Sequence, residues 1–313
     1  MEYGLRATEM PELTSLRQGY GGPPKQSRMR IFQSAIVVIS VAAVTALAAQ
    51  DQQPRSRPGW PCVGTPDPSY FTVAEGSGGQ VFLFDPSEVG DSSVVMIGAM
   101  KHEETVFRAA GTLAEGVHEF SIPVDSTIES AMFSVSLQCL QVVEIVRPSG
   151  DELRANDPGV EYHQFQAGRV VTLAKPTPGG WTVRVAGRGM FFLVLQAKTD
   201  LSLDRVSFVE PGGRPGHEGL FPIKGSPKRG VAQQLEVELS GVVQGPRFRF
   251  ISSAAETIQD LTLEPQGGAG EDRSFLGEVT PRARQFRLAV SGVDARGFAF
   301  QRVHAPLFTA EAR

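Results

Sequence analysis

Residues 176–195, PTPGGWTVRVAGRGMFFLVL, leave the backbone few choices. Trp181, Val183 and Val185 alternate with Thr182, Arg184 and Ala186, the period of two expected of a strand with one face in a core. Residues 190–195 are apolar throughout, as in a strand covered on both faces. Gly187-Arg188-Gly189 stands between them and reads as a turn, so the stretch predicts a complete β-hairpin.

Similar runs recur along the chain. Strand-like segments stand at 70–73, 81–84, 94–97, 105–108, 117–122, 131–137, 140–146, 160–165 and 170–173. Residues 121–132 are ambiguous, and no stretch holds a sustained helical period. Further on, Leu235, Val237 and Leu239 alternate with Glu236 and Glu238, and Phe248 and Phe250 with Arg247 and Arg249, the pattern of half-exposed antiparallel sheets. Gly 34 and Pro 22 exceed the ordinary share, yet 41% of residues are hydrophobic, which argues for many turns and not for disorder. The expected class is all-β, two tandem antiparallel β-sandwich domains of the Ig-like or fibronectin III-like kind. EPGGRPG, 210–216, is the expected linker, with a first sandwich over 71–209 and a second over 217–313. Phe286-x-Leu288-x-Val290-x-Gly292 repeats the spacing of Trp181-x-Val183-x-Val185-x-Gly187. Related tandem domains would produce that repeat, and so would chance convergence of two hairpins.

The N-terminal part has a different character. Residues 1–28 are polar and read as a disordered or non-native extension. Arg28 and Arg30 precede an apolar run, 31–49, that ends in Ala46-Leu47-Ala48-Ala49. This is the layout of a secretory signal peptide over 29–49, with Met29 as a start that would shorten the basic region. An uncleaved anchor through 31–49 is the alternative, since a span needs roughly 20 apolar residues. Residues 50–70 read as a linker. The expected location is secreted, periplasmic or on the cell envelope, with membrane contact only if the signal is uncleaved. A net charge of -4 gives no basic surplus to follow a phosphate backbone, so nucleic acid is not an expected partner.

Cys62 and Cys139 are the only cysteines. In an oxidising compartment they could bridge, closing a loop of about 76 residues worth ~4 kcal/mol. The alternative is free thiols, with Cys139 a small buried apolar residue. His102, His118, His163, His217 and His304 are scattered, and His102-Glu103-Glu104 lacks the second histidine of the zinc pattern HExxH. With no GxSxG elbow and no P-loop, no catalytic, metal or cofactor-binding residue is assigned, and no cofactor is expected. Asp151, Glu152, Asn156 and Asp157 are the densest oxygen donors for calcium, although such loops are ordinarily only solvated. Trp181 belongs to a core by its alternation, which leaves Trp60, Tyr70 and Tyr162 as candidate sugar-stacking rings. Arg247, Arg249, Arg282, Arg284, Arg287, Arg296 and Arg302 are interspersed with Glu236, Glu238, Glu264, Glu271 and Glu278. They read as a mixed solvated face, or else as a patch for an acidic glycan.

Residues 176–198, with the strand VVEIVRPSG at 142–150 before them, resemble the module that follows the von Willebrand factor A domain in hemicentin-like extracellular proteins. FRLAVSGVDARGFAFQR, 286–302, is similar to the Ig-like or fibronectin-like module that comes next, so the resemblance covers roughly 77–303. SGGQVF, 77–82, resembles the closing strand of an A domain, but only a linker and a signal precede it, and no Asp-x-Ser-x-Ser metal motif occurs in the chain. Metal-dependent adhesion is therefore not carried over. The expected function is that of an exported, non-enzymatic protein-interaction, adhesion or scaffolding module acting through sandwich edges and loops, with a protein partner on the envelope or outside the cell. A carbohydrate-binding module, or an accessory domain of an extracellular hydrolase, is the alternative, with a glycan as ligand.

Overall fold

The computed structural model describes residues 38–40, by backbone only, and 62–266 and 273–312, all within one compact unit. Residues 1–28, Trp60 and most of the expected signal and linker segments lie outside the described residues. Within the expected signal segment, β1 (Val38–Ser40) pairs in parallel with β2 (Val81–Leu83). Between them lies α1 (Pro68–Ser77), which starts inside the expected linker. The Asp67 carboxylate accepts the Ser69 N–H at 2.8 Å, Pro68 occupies the first turn, and Gly78 ends the helix at φ 77. After β2, Asp85 and Glu88 form a capping box on a 3-10 turn, Pro86–Asp91, that runs into α2 (Ser92–Lys101). Two expected strands, 70–73 and 94–97, are therefore helical, while the chain remains mostly β and the β-sandwich class stands. In such short apolar runs the Asp-Pro start signals outweigh an indistinct period.

The first sheet contains β3 (Glu104–Val124), β4 (Ile128–Val146), β5 (Val160–Phe165), β6 (Gly168–Ala174) and β7 (Gly179–Thr199) in the antiparallel order β3-β7-β4-β6-β5. Three of these strands run for 21, 19 and 21 residues, far beyond the usual length of roughly 5–6. Their register shifts between Leu113 and Gly116 in β3, and between Leu137 and Cys139 and between Leu140 and Val142 in β4. At that level the sheet doubles over. Phe107 and Phe120, from the two halves of β3, have ring centroids 6.1 Å apart, and Phe133 of β4 lies 5.7 Å from Trp181 of β7. One sheet thus supplies both layers of the first sandwich, around Ile122, Leu137, Val183, Val185, Leu193 and Leu195.

Gly187-Arg188-Gly189 is accordingly a bend within one strand and not the turn of a hairpin. Both halves of β7 keep the same neighbours, with Gly187 opposite Gly116 on one side and Leu140 on the other. A Cβ on Gly187 would lie 2.3 Å from the Cys139 carbonyl oxygen, at φ 151, so only glycine permits this approach.

The second sandwich has one sheet on each side. Its strands are β8 (Ser202–Gly212), β9 (Gly219–Pro222), β10 (Gln233–Ser240), β11 (Val243–Ile251), β12 (Thr257–Leu261), β13 (Glu264–Gln266), β14 (Arg273–Val279), β15 (Gln285–Asp294), β16 (Ala299–Val303) and β17 (Phe308–Thr309). The sheet orders are β13-β14-β10-β8-β9 and β12-β11-β15-β16, with β17 pairing the start of β15. Phe208, Leu235, Val237, Phe248, Phe250, Phe286 and Leu288 form the core, as the alternation requires. Here the hairpin at 286–302 is genuine. The Asp294 carboxylate accepts the N–H groups of Arg296 and Phe298, each at 2.9 Å, across the β15–β16 turn.

The chain crosses between sandwiches at Asp200, since β7 ends at Thr199 and β8 pairs with β10. Leu201, Val206 and Phe208 already belong to the second core. Residues 210–216 instead finish β8 and enter the loop leading to β9, because clustered turn-formers close a hairpin as readily as they separate domains.

Candidate functional site

The distinctive polar chemistry lies along the seam between the two sandwiches. Arg108 of β3 is 1% exposed, and Arg287 of β15 and Arg302 of β16 are both 0%. Glu75, on the last turn of α1, is the carboxylate between the first two. Its Oε1 accepts from Arg108 Nη2 at 3.0 Å and Nε at 3.3 Å, and its Oε2 accepts from Arg287 Nη2. Arg108 also donates to the carbonyls of Ala74 and Gly78, and its guanidinium stands 4.7 Å from the centre of the Phe192 ring. One buried carboxylate therefore serves two buried guanidiniums, and Arg287 Nε and Nη1 have no hydrogen-bond partner. Burial, then the Arg108 charge, pushes the Arg287 guanidinium down to about 9, against the pull of Glu75.

A second pair closes the other part of the seam. Arg302 Nη1 lies 2.7 Å from Asp125 Oδ2, with both side chains 0% exposed. Arg302 Nε donates to the Leu201 carbonyl at 2.8 Å and Nη2 to Thr199 Oγ1 at 3.1 Å, tying the pair to the crossover. Asp294 Oδ2 accepts from the Ser126 N–H at 2.8 Å and hydroxyl at 2.6 Å. Burial works against the charged Asp294 carboxylate, but the bonds from Ser126, Phe298 and Arg296 outweigh it and lower its pKa. Backbone contacts add to this, from Ala110 N–H to Ser253 O at 2.8 Å and from Leu307 N–H to Glu75 O at 2.7 Å. Close by, the His304 ring stacks on Phe308 with centroids 4.9 Å apart, and burial pushes its pKa down to about 4.

The residues singled out in the sequence fall as follows. Cys62 and Cys139 form a disulfide, with Cα atoms 4.2 Å apart, and the Val63 N–H continues the contact to the Gln138 carbonyl at 3.0 Å. Asp157 accepts from Arg147 Nη2 at 2.6 Å and from the Arg154 N–H at 2.8 Å, and Asp151 accepts from Ser149 Oγ at 2.9 Å. Their carboxylates are thus used within the loop, and no group of three or more His, Cys, Asp or Glu among the described residues is placed to hold a cation. Trp181 is fully buried, with its Nε1 donating to the Thr177 carbonyl at 2.9 Å. Tyr70 is 40% exposed on α1, whereas Tyr162 packs against the first core. His102 is buried, its ring between the Gly98 carbonyl and Ser130 Oγ.

The arginine reading needs correction. Arg287 and Arg302 do not belong to a solvated face, because the first sandwich and α1 cover them and supply Asp125 and Glu75. Sequence reasoning also passed over Arg108, Glu75, Asp125 and Asp294. The available signal was a lone charge in a strand apolar on both faces, as in VFRAA and FRLAV.

The open surfaces lie elsewhere. α2 buries Val95 and Ala99 and exposes Met96, Ile97 and Met100. The β8–β9 hairpin exposes Leu220 and Phe221. Where β3 bends, a groove of about 490 Å³ runs beside it to Ala254 and Glu256 of the second sandwich.

No family model matches the chain. Mouse hemicentin-1 is 22% identical over 249 residues, covering 77% of this chain, and human hemicentin-1 is 21% identical over 248 residues, also covering 77%. Mouse hemicentin-2 is 21% identical over 257 residues, covering 80%. The likeness to hemicentins carried by the short motifs therefore extends along most of the chain, which spans only 4% to 5% of the length of these relatives. Among solved structures, the Bacillus licheniformis lipase BlEst2 in propeptide form aligns with a TM-score of 0.29 and 10% identity, over 66% of this chain and 43% of that one. The mouse nectin-like molecule 4 ectodomain aligns with a TM-score of 0.21 and 11% identity, over 63% and 64%. TM-scores this low give no weight to either likeness.

Proposed function

We propose that the chain is an exported, non-enzymatic protein-interaction module of the adhesion or scaffolding kind, in which two fused sandwiches hold sheet borders and loops at fixed spacing. The observation that carries this reading is the seam. Two buried pairs cross it, Arg287 with Glu75 and Arg302 with Asp125, and a shift of one sandwich on the other would leave these charges buried without their partners, at a cost of about 3–5 kcal/mol. A joint of that kind holds binding surfaces in place before a partner arrives, which lowers the ordering cost of association. The likeness to hemicentins supports an extracellular role, and the Cys62–Cys139 bridge suits an oxidising compartment. Among the described residues no helix is long and apolar enough to cross a membrane.

Carbohydrate binding is the second reading, favoured by the exposed ring of Tyr70. The two are separated by capture on immobilised chain from residue 50 onward, with bound polypeptide and bound glycan quantified in calcium and chelator arms. Saturable retention of a polypeptide supports the interaction module. Glycan without polypeptide, lost in Tyr70→Ala, would replace it with the second reading, and retention of neither would overturn both.

A further inference from the structure

β3 borders its sheet, and among the described residues it pairs with β7 and no other strand. Its first part is closed off by the second sandwich, through Ala110 N–H to Ser253 O and Gln301 Nε2 to Val106 O. Near its end the side chains of Ile122 and Val124 point into the core. Between the register shift at Leu113/Gly116 and Pro123 the border lies open, with Val117 67% exposed. Unpaired peptide groups on a sheet border are a template for another strand unless proline, a bulge or a covering element blocks them. Here the bulge and Pro123 stand only at the two ends, leaving a window from Gly116 to Ile122 that matches a strand of ordinary length.

The groove beside this window has Leu113, Val117, Phe120 and Phe191 among its apolar lining, and Glu119 and Glu256 as its acidic residues beside His118, with no Lys or Arg. Glu119 is engaged by Arg184 at 2.6 Å, whereas Glu256 takes part in no ion pair among the described residues. The chemistry that fits is backbone for the border, apolar side chains for the rings and a cation for Glu256.

We propose that the β3 border over Gly116–Ile122 receives an extended segment of a partner protein that alternates apolar and basic side chains, adding a sixth strand to the five-stranded sheet. This rests on the interaction-module reading and names its surface and the kind of partner.

The test is a titration of the full chain, isotopically labelled, with three synthetic heptapeptides: one alternating valine and lysine, one alternating valine and glutamate, and the first with its central valine replaced by proline. Saturable binding of the basic peptide is expected, with amide shifts centred on residues 116–122. The acidic and proline peptides should bind at least about tenfold more weakly, and Glu256→Lys, a surface change outside the cores, should weaken the basic peptide by about tenfold. Equal binding of all three peptides, shifts centred on α2 or the β8–β9 hairpin, no binding, or self-association that occupies the same amides without peptide would overturn the proposal. Failure of the broader reading looks different. If a polypeptide is captured undiminished by Glu256→Lys or by excess basic peptide, the interaction module stands and this surface falls. If no polypeptide is captured at all, the module reading itself falls.

Discussion

Replacing Glu75 by glutamine tests the seam most directly. Glutamine keeps the shape of the side chain but leaves Arg108 and Arg287 as two buried cations with no carboxylate between them. Arg287 has two nitrogens already without partners, so it cannot redistribute its bonds, while Arg108 retains three backbone carbonyls and the Phe192 face. Removing one member of a buried pair costs about 3–5 kcal/mol, and because Glu75 serves both arginines the loss should fall in the upper part of that range. Against a domain stability of roughly 5–15 kcal/mol this is a large share, readily measured by urea unfolding at neutral pH. The partner change, Arg287→Met, removes the under-bonded cation and should cost about 1 kcal/mol or less, and adding it to Glu75→Gln should restore part of the loss. Both sandwiches should unfold in one transition in the native chain. A loss below about 1 kcal/mol for Glu75→Gln, or two separate transitions in the unmutated chain, would refute the seam as a fused joint.

Three further outcomes are expected. Replacing Cys62 and Cys139 by serine opens a bridge with sequence separation 77, and the chain-entropy relation gives a loss of about 4.5 kcal/mol; an unchanged unfolding midpoint would contradict it. His304, held at about 4 when folded against roughly 6.5 when unfolded, contributes stability that is complete above pH 6.5 and is lost as pH falls toward 4, by up to about 3 kcal/mol. His304→Phe should remove that component from the difference between the two stability–pH curves, and parallel curves would count against it. Gly187→Val would drive a side chain into the Cys139 carbonyl and should destabilise by ~3 kcal/mol or more, whereas a site that is merely a flexible turn would lose far less.

The second sandwich was largely legible because its strands each have one face in a core. The alternation of Leu235, Val237 and Leu239 with glutamates is reproduced residue by residue. Trp181 was legible for the same reason. The doubling of the first sheet was not. A Gly-x-Gly between apolar runs looks the same whether it closes a hairpin or bends a strand, and the difference is decided by Gly116 and Leu140, distant in sequence. Both helices carry about as much β-branched and apolar content as a strand, and only Asp67-Pro68 and Asp85-Pro86 announced them. The cysteine pair favoured a bridge but left free thiols open until the fold brought residue 62 beside β4. The seam lay furthest from view. A buried arginine can be suspected inside a strand apolar on both faces, but the carboxylate that answers it is a tertiary fact.

The doubled sheet also has a consequence in time. β3 leaves the ribosome, or the export channel, before the strand it pairs with, and about 55 residues of intervening chain must follow before β7 begins. Pairing across such a separation is slow, because the loop must close before any contact rewards it. β4 reaches its neighbour β6 much sooner, so the centre of the sheet can assemble while β3, with its apolar first half, still waits. Of the five strands of this sheet, the border strand β3 thus waits longest for its neighbour, with its apolar first half uncovered in the interval.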